Sequence, residues 1–170
     1  MSILIAYFSH TGENYAVGDI KVGNTAKAVK VLEALLAEQG VAFETHEIAP
    51  AALYPRNYNE CIAVAKDELH ANARPKIAQD FAPEGFDEII LAFPNWWGEA
   101  PMCVYTWLGA HNIAGKPLKI VVTHEGSGVG GADSKIAKFS GAKLIKSVAI
   151  YGHVAQNDAA KTKTALKSLF

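Results

Sequence analysis

The sequence predicts an α/β fold in which helices cover both faces of a parallel sheet. Apolar runs of strand length alternate along the chain with segments whose apolar residues recur at helical spacing. The first run, residues 3–8, is apolar throughout, as in a strand that is buried on both faces. The 170 residues suffice for one domain with a substantial core, and we predict a single domain over residues 1–170.

Each predicted element has a local signal. Asn24 or Thr25 can cap a helix that extends to about residue 39, where Gly40 ends it. The other predicted elements are a polar edge strand at residues 41–48, a helix at 57–71, a buried strand at 88–93, a helix from Pro101 to about His111, a strand at 118–123, a short helix at 132–139, a strand at 144–151 and a closing helix at 157–169.

The composition excludes several classes of function. The formal net charge is −1 and 19% of the residues are charged, without a basic cluster, so we expect neither a nucleic-acid nor a membrane partner. The two cysteines, Cys61 and Cys103, lack metal-site or redox-motif spacing and are predicted to be reduced thiols of a cytoplasmic protein. We identify neither a signal peptide nor a membrane span. The histidine spacing predicts no metal site.

Ligands of parallel α/β sheets bind outside the carboxyl ends of the strands, which directs attention to the loops there. Three loops are rich in hydroxyl groups, glycine or aromatic rings. Their residues are Ser9, His10, Thr11 and Gly12 after the first strand, Pro94, Asn95, Trp96, Trp97 and Gly98 after the third, and Thr123, His124, Glu125, Gly126, Ser127 and Gly128 after the fourth. The loop after the second strand, residues 49–55, carries no comparable signal.

The first of these loops has the chemistry of a phosphate site. Hydroxyl groups and free backbone N–H groups follow an apolar strand in Ser9–Gly12, and a helix start at Asn24 and Thr25 would add its positive end. A simple polar turn is the alternative. Residues 13–22 separate the two halves of this predicted site.

The tryptophan pair predicts a flat aromatic ligand. Either tryptophan could pack into the core, but a ring at the crevice would stack on such a ligand. We predict that Trp97 stacks and that Trp96 packs in the protein, because Gly98 permits a turn and a close backbone approach directly after Trp97.

Other motifs are weaker. The glycines of residues 126–131 match a dinucleotide-binding pattern, but they follow the fourth strand and the next strand lacks a terminal acidic residue. A loop packed at a ligand edge fits better. His10 and His124 could contact a ligand or be ordinary loop histidines. Because no Ser–His–carboxylate set can be assembled, we predict no catalytic residue.

Taken together, the motifs resemble those of flavodoxin-like FMN-binding proteins, in particular a bacterial branch. The matching segments are Tyr7-Phe8-Ser9-His10-Thr11-Gly12, Gly23-Asn24-Thr25, Tyr54-Pro55-Arg56-Asn57-Tyr58, Pro94-Asn95-Trp96-Trp97-Gly98 and Thr123-His124-Glu125-Gly126-Ser127-Gly128. The resemblance implies a three-layer sandwich around a five-stranded parallel sheet in the order 2-1-3-4-5. It also implies FMN as the cofactor, with its phosphate held by Ser9, Thr11, Gly12, Asn24 and Thr25. Trp97 would cover the isoalloxazine ring, with Gly98 near N5 and residues 123–128 at the ring edge.

Two residues depart from the pattern of that branch. Asn95 replaces a usual aliphatic residue, and Glu125 replaces a usual glycine. The Glu125 carboxylate either lies near the flavin, where it would disfavour reduction, or points into solvent.

Three functions are compatible with these features. The first is an FMN-dependent electron-transfer protein, for example an NAD(P)H:acceptor oxidoreductase acting on quinones or similar small molecules. The second is an electron carrier for a redox partner protein, although such shuttles are strongly acidic and this chain is nearly neutral. The third is a regulatory ligand-binding domain without redox turnover. The oligomeric state stays open.

Overall fold

The computed structural model describes residues 1–170 and contains seven strands and six helices. In chain order they are β1 (Ser2–Tyr7), β2 (Gly12–Asn14), β3 (Gly18–Ile20), α1 (Asn24–Glu38), β4 (Ala42–Glu47), α2 (Tyr58–His70), β5 (Glu88–Pro94), α3 (Met102–Ala110), β6 (Pro117–His124), α4 (Ala132–Ser140), β7 (Lys143–Tyr151), α5 (Gly152–Asn157) and α6 (Ala159–Lys167).

The main sheet confirms the predicted fold class. Its strands are all parallel and lie in the order β4-β1-β5-β6-β7, which is the order 2-1-3-4-5 once the small hairpin is left out of the count. The polar strand β4 lies at an edge, as its composition predicts, and the apolar strands β1, β5 and β6 are central.

Alternate side chains of the central strands supply two separate cores. On one face Leu4, Leu91 and Ile120 pack under α2, α3 and α4. On the other face Ile5, Ile90 and Val121 pack under α1, α5 and α6. Because a parallel sheet must be covered on both sides, this arrangement explains why most residues of its central strands are apolar on both faces. None of the helices is both long and apolar enough to cross a membrane.

Two elements differ from the prediction. Strands β2 and β3 form an antiparallel hairpin over residues 12–20, most of it in the stretch 13–22 for which we predicted no regular structure. Strands of three residues are too short to show an alternating pattern. The predicted closing helix at 157–169 is also wrong at its start. Helix α5 comes before it, and α6 begins only after Asp158, whose side chain accepts a hydrogen bond from Lys161 N at 2.9 Å.

The hairpin is fixed to the start of α2, next to the carboxyl edge of the sheet. Glu13 N donates to Arg56 O at 2.8 Å, and the Arg56 guanidinium pairs with Asp19 at 2.7 Å. The Glu13 carboxylate accepts from Tyr58 N at 2.8 Å and from Asn57 Nδ2 at 3.1 Å. These contacts make the hairpin a wall at the edge where the predicted ligand loops converge.

Candidate functional site

The carboxyl ends of β1, β5 and β6 open into a cleft of about 400 Å³. This is the size range of small-molecule and cofactor sites. The cleft is lined by His10, Glu13, Asn14, Tyr15, Asn24, Tyr58, Cys61, Ile62, Ala65, Pro94, Asn95, Trp96, Trp97, Gly98, Thr123, His124, Glu125 and Ser127. The three loops that the sequence singled out therefore meet at one place.

The first loop packs closely against the start of α1, next to the cleft-lining residues His10 and Asn24. Ser9 Oγ accepts from Ala26 N at 3.0 Å and so occupies one of the free N–H groups of the helix start. Gly23 lies directly against this loop: a Cβ atom there would overlap Ser9 Oγ and lie 2.5 Å from His10 O. Thr25 is buried, and its hydroxyl pairs with that of Thr123 at 2.8 Å. The Thr25 side chain thus joins α1 to β6 and is not free to bind a phosphate, contrary to what the resemblance implied.

Two polar atoms at the cleft lack a partner. Asn24 Oδ1 and His10 Nε2 are buried without a hydrogen bond, and both residues line the cleft. The His10 ring packs edge-on against Trp96, with 5.6 Å between ring centroids. Burial, followed by the nearby Arg56 charge, lowers the pKa of His10, so its ring is neutral at pH 7. Since unpaired buried polar atoms are costly, these two indicate that a polar ligand group binds beside them.

The two tryptophans have different environments. Trp96 makes edge-on contacts with Phe8 and Tyr54, at centroid distances of 5.2 and 5.0 Å, and joins the core beneath the cleft. Trp97 is 53% exposed at the cleft, and its Nε1 donates to Ile62 O at 3.3 Å. Its backbone has a φ of +58°, an unfavourable value for a bulky residue, which often marks a functional site.

Asn95, one of the two departures, connects two loops of the cleft. Its Oδ1 accepts from Gly98 N at 2.9 Å, and its Nδ2 donates to Gly128 O at 2.9 Å. An aliphatic residue could make neither bond. Asn95 therefore fixes the turn after Trp97 against the loop that follows β6.

His124 organises that second loop from within. Its Nδ1 accepts from Gly126 N at 2.9 Å and from Gly128 N at 3.1 Å, so the loop needs the neutral ring with its proton on Nε2. Burial lowers the pKa of His124, and the nearby His153 acts in the same direction against the opposing Glu125. The backbone N–H groups of Gly126 and Gly128 are thus bound to His124. Ser127, which lies between them in sequence, lines the cleft.

Glu125, the second departure, is engaged inside the protein. Its side chain is only 14% exposed, and its two oxygens accept from His153 N and contact His153 Nδ1, both at 2.7 Å. A Cβ atom on Gly152 would overlap Asn24 Nδ2 and lie 2.5 Å from Glu125 Oε1. The alternative that Glu125 points into solvent is therefore wrong. The carboxylate lines the cleft, but as a partner of His153 rather than as an isolated charge.

The comparisons with known proteins agree with this geometry. The family model described as Flavodoxin matches residues 2–166. The chain belongs to the flavodoxin family. No curated protein matches this flavodoxin-family chain.

Solved structures share the fold of this chain. A candidate flavoprotein from Bacteroides eggerthii superposes with a TM-score of 0.73 at 24% identity, covering 99% of this chain and 97% of that one. A Lactobacillus acidophilus flavoprotein in complex with FMN gives 0.66 at 17% identity, covering 87% and 92%. An NAD(P)H:quinone oxidoreductase from Methanothermobacter marburgensis gives 0.52 at 14% identity, covering 99% and 92%.

Family membership confirms the expectation of FMN at the level of the family, and the residues of this chain fit the cofactor. The start of α1 lies beside the unpartnered Asn24 and His10 atoms that line the cleft. A tryptophan with half its surface free, Trp97, lines the same cleft. The narrower resemblance to one bacterial branch stays a prediction.

Seven residues that line the cleft were not predicted from the sequence. Glu13, Asn14 and Tyr15 come from the hairpin, and Tyr58, Cys61, Ile62 and Ala65 come from α2. The Tyr-Pro-x-x-Tyr segment of the resemblance ends on one of them and was the available signal. Burial, with the Glu68 charge adding to it, raises the pKa of the Cys61 thiol to about 11, so it is neutral in the cleft.

The roles of the two tryptophans can be separated by mutation. Trp97→Ala should weaken FMN binding by about an order of magnitude, because ring stacking is lost, while stability changes little. Trp96→Ala should lower the free energy of unfolding by about 2–3 kcal/mol, because it empties part of the core. FMN titration and urea unfolding measure the two effects. The opposite pattern would show that the roles are exchanged.

Acid should loosen the loop after β6. The pKa of His124 is lowered in the fold, so the unfolded chain binds the extra proton more readily and this contribution to stability falls as the pH drops below about 6.5. Protonated Nδ1 could no longer accept from Gly126 and Gly128. The melting-temperature advantage of the wild type over His124→Gln should therefore be larger at pH 7.5 than at pH 5.5. An equal difference at both pH values would contradict this.

Proposed function

We propose that this protein binds FMN in the cleft and uses it to pass electrons to a small-molecule acceptor, with quinones as the favoured class. The observation that carries the proposal is that the cleft combines two kinds of binding group. It is lined by the unpartnered polar atoms of Asn24 and His10, beside the start of α1, and by the half-exposed Trp97 ring. A ligand that matches both has a phosphate and a flat ring system.

The residues of the chain supply binding and orientation. N–H groups of the Ser9–Gly12 loop and of the start of α1 would hold the phosphate. Trp97 would cover the ring, and Asn95 would keep the Gly98 backbone in place beside it. When bound, FMN supplies the redox chemistry itself, and the protein provides its position and electrostatic surroundings.

Two observations support a small-molecule acceptor over a protein partner. The formal net charge of −1 gives little electrostatic steering towards a basic partner. The cleft is also lined by residues of the hairpin and α2, in addition to the predicted cofactor residues. The electron donor in this proposal is NAD(P)H, and an electron carrier that serves a redox partner protein is the competing function.

The visible spectrum of the purified protein is the first test. A flavin spectrum, with FMN released on denaturation and bound much more tightly than riboflavin by the apoprotein, is the expected result. Equal affinities for FMN and riboflavin would contradict the phosphate site. Oxidation of NAD(P)H by the protein and a quinone alone would support the reductase, whereas turnover only after addition of a partner protein would support the carrier.

A further inference from the structure

We infer that the β2–β3 hairpin and α2 form an acceptor subsite, in which Tyr15 and Tyr58 bind an uncharged planar ring such as a quinone. This inference rests on the proposed function, because it names the substrate class of the same cleft. It concerns the side of the cleft that the predicted FMN loops do not build.

The position of Tyr15 is strongly determined. Tyr15 lies in the turn between β2 and β3. Its neighbour Ala16 has a φ of +65°, and Val17 N donates to Tyr15 O at 2.9 Å, so the turn is tight. The hairpin is fixed to α2 through Glu13 and Arg56, as described above. A Cβ atom on Gly12 would lie 2.8 Å from Arg56 O, so the base of the hairpin lies against α2. The hairpin backbone is therefore held against the segment that leads into α2, and Tyr15 lines the cleft from it.

The wall is aromatic and open to solvent. The Tyr15 and Tyr58 rings lie 6.2 Å apart with an angle of 35° between their planes. Tyr15 is 64% exposed, and Trp97 at the same cleft is 53% exposed. Large aromatic surfaces exposed together at one opening mark a binding site for an apolar or aromatic group.

The charges near the wall are already engaged. The Glu13 carboxylate accepts two hydrogen bonds from the start of α2, and Asp19 pairs with Arg56. Lys66 Nζ lies 5.4 Å from the centre of the Trp97 ring, which holds this cation on the aromatic face. The remaining wall, formed by Tyr58, Ile62, Ala65 and the neutral Cys61 thiol, carries no charge. It therefore matches an uncharged ring rather than an ionic acceptor.

The test measures binding without turnover. The FMN-loaded, oxidised protein is titrated calorimetrically with 2,3-dimethyl-1,4-naphthoquinone in the absence of a reductant. This quinone is chosen because its substituted ring positions resist addition of the Cys61 thiol. Tyr15→Ala should weaken quinone binding about three- to tenfold, because one stacking surface is removed. Tyr15→Phe keeps the ring and should bind as the wild type does. Phe139→Ala removes an exposed aromatic ring that does not line the cleft and is the matched control.

The outcomes separate this inference from the proposed function. Equal quinone affinities of the wild type and Tyr15→Ala, or an equal loss in Phe139→Ala, overturn the subsite while flavin binding and turnover stand. A loss of FMN affinity in Tyr15→Ala as large as the loss of quinone affinity also overturns it, because the wall then serves the cofactor. A wild-type protein that does not take up FMN overturns the proposed function, and the acceptor subsite with it.

Discussion

Gly23→Ala should lower the affinity of the protein for FMN at least about a hundredfold. The added Cβ atom would overlap Ser9 Oγ and lie 2.5 Å from His10 O, so the first loop must move away from α1. That movement breaks the Ser9–Ala26 hydrogen bond and separates the two groups of N–H donors. Loss of two charge-assisted hydrogen bonds, at about 1.5–3 kcal/mol each, accounts for the expected decrease. Titration of the apoprotein with FMN measures it.

Gly85→Ala is the matched control for this substitution. A Cβ atom on Gly85 would meet no other atom within 4 Å, and the residue has no positive φ, so an alanine there should change neither FMN affinity nor folding. The riboflavin affinity of Gly23→Ala is a second check. It should fall much less than the FMN affinity, because riboflavin lacks the phosphate. Wild-type FMN affinity in Gly23→Ala would show that the two halves do not form one phosphate site.

Lys119→Met should lower the free energy of unfolding by about 3–5 kcal/mol. Lys119 Nζ lies 3.0 Å from Glu88 Oε1, and both side chains are about nine-tenths buried. The same ammonium group lies 4.4 Å from the centre of the Phe170 ring. Removing the lysine leaves the Glu88 carboxylate buried without its partner, which is the costly state. Urea denaturation measures the change.

Two further variants test the cause of this destabilisation. Adding Glu88→Leu to Lys119→Met should restore stability to within about 1 kcal/mol of the wild type, because no unpaired charge remains. Lys163→Met breaks the exposed pair with Glu38 and should cost less than about 1 kcal/mol. FMN affinity should be unchanged in Lys119→Met, in the double variant and in Lys163→Met. Lys119 and Glu88 lie near the amino ends of β6 and β5, whereas the cleft is at the carboxyl ends. If Lys119→Met lowered the free energy of unfolding no more than Lys163→Met does, the explanation would be refuted.

The fold could be predicted because its signals are local. The apolar runs within β1, β5 and β6 identify central strands. Segments with helical spacing lie between the strands, which implies that helices connect strands running parallel to one another. The hairpin and α5 lacked such signals. The hairpin strands have three residues each, and α5 has six and follows β7 directly. Elements this short are stabilised by distant contacts, such as those of Arg56 with the hairpin.

The location of the site could be predicted for the same reason, but several side-chain roles could not. Asn95 and Glu125 were recognised only as departures from a pattern. Their partners, Gly128 and His153, are about thirty residues away in sequence. Gly128 lies in the loop after β6, and His153 lies in α5. Thr25 was expected to face the phosphate, yet its hydroxyl pairs with Thr123, 98 residues away.

By itself, therefore, the sequence determined the α/β class, the parallel sheet and the edge at which ligand loops converge. Periodicity and the chemistry of contiguous loops act over a few residues, which makes them readable without a structure. Only the tertiary structure decided which polar groups are already paired, that Glu125 binds His153, and that Tyr15 belongs to the cleft. Those outcomes depend on which distant segments pack together in the two cores. A local sequence pattern contains no information about such long-range contacts.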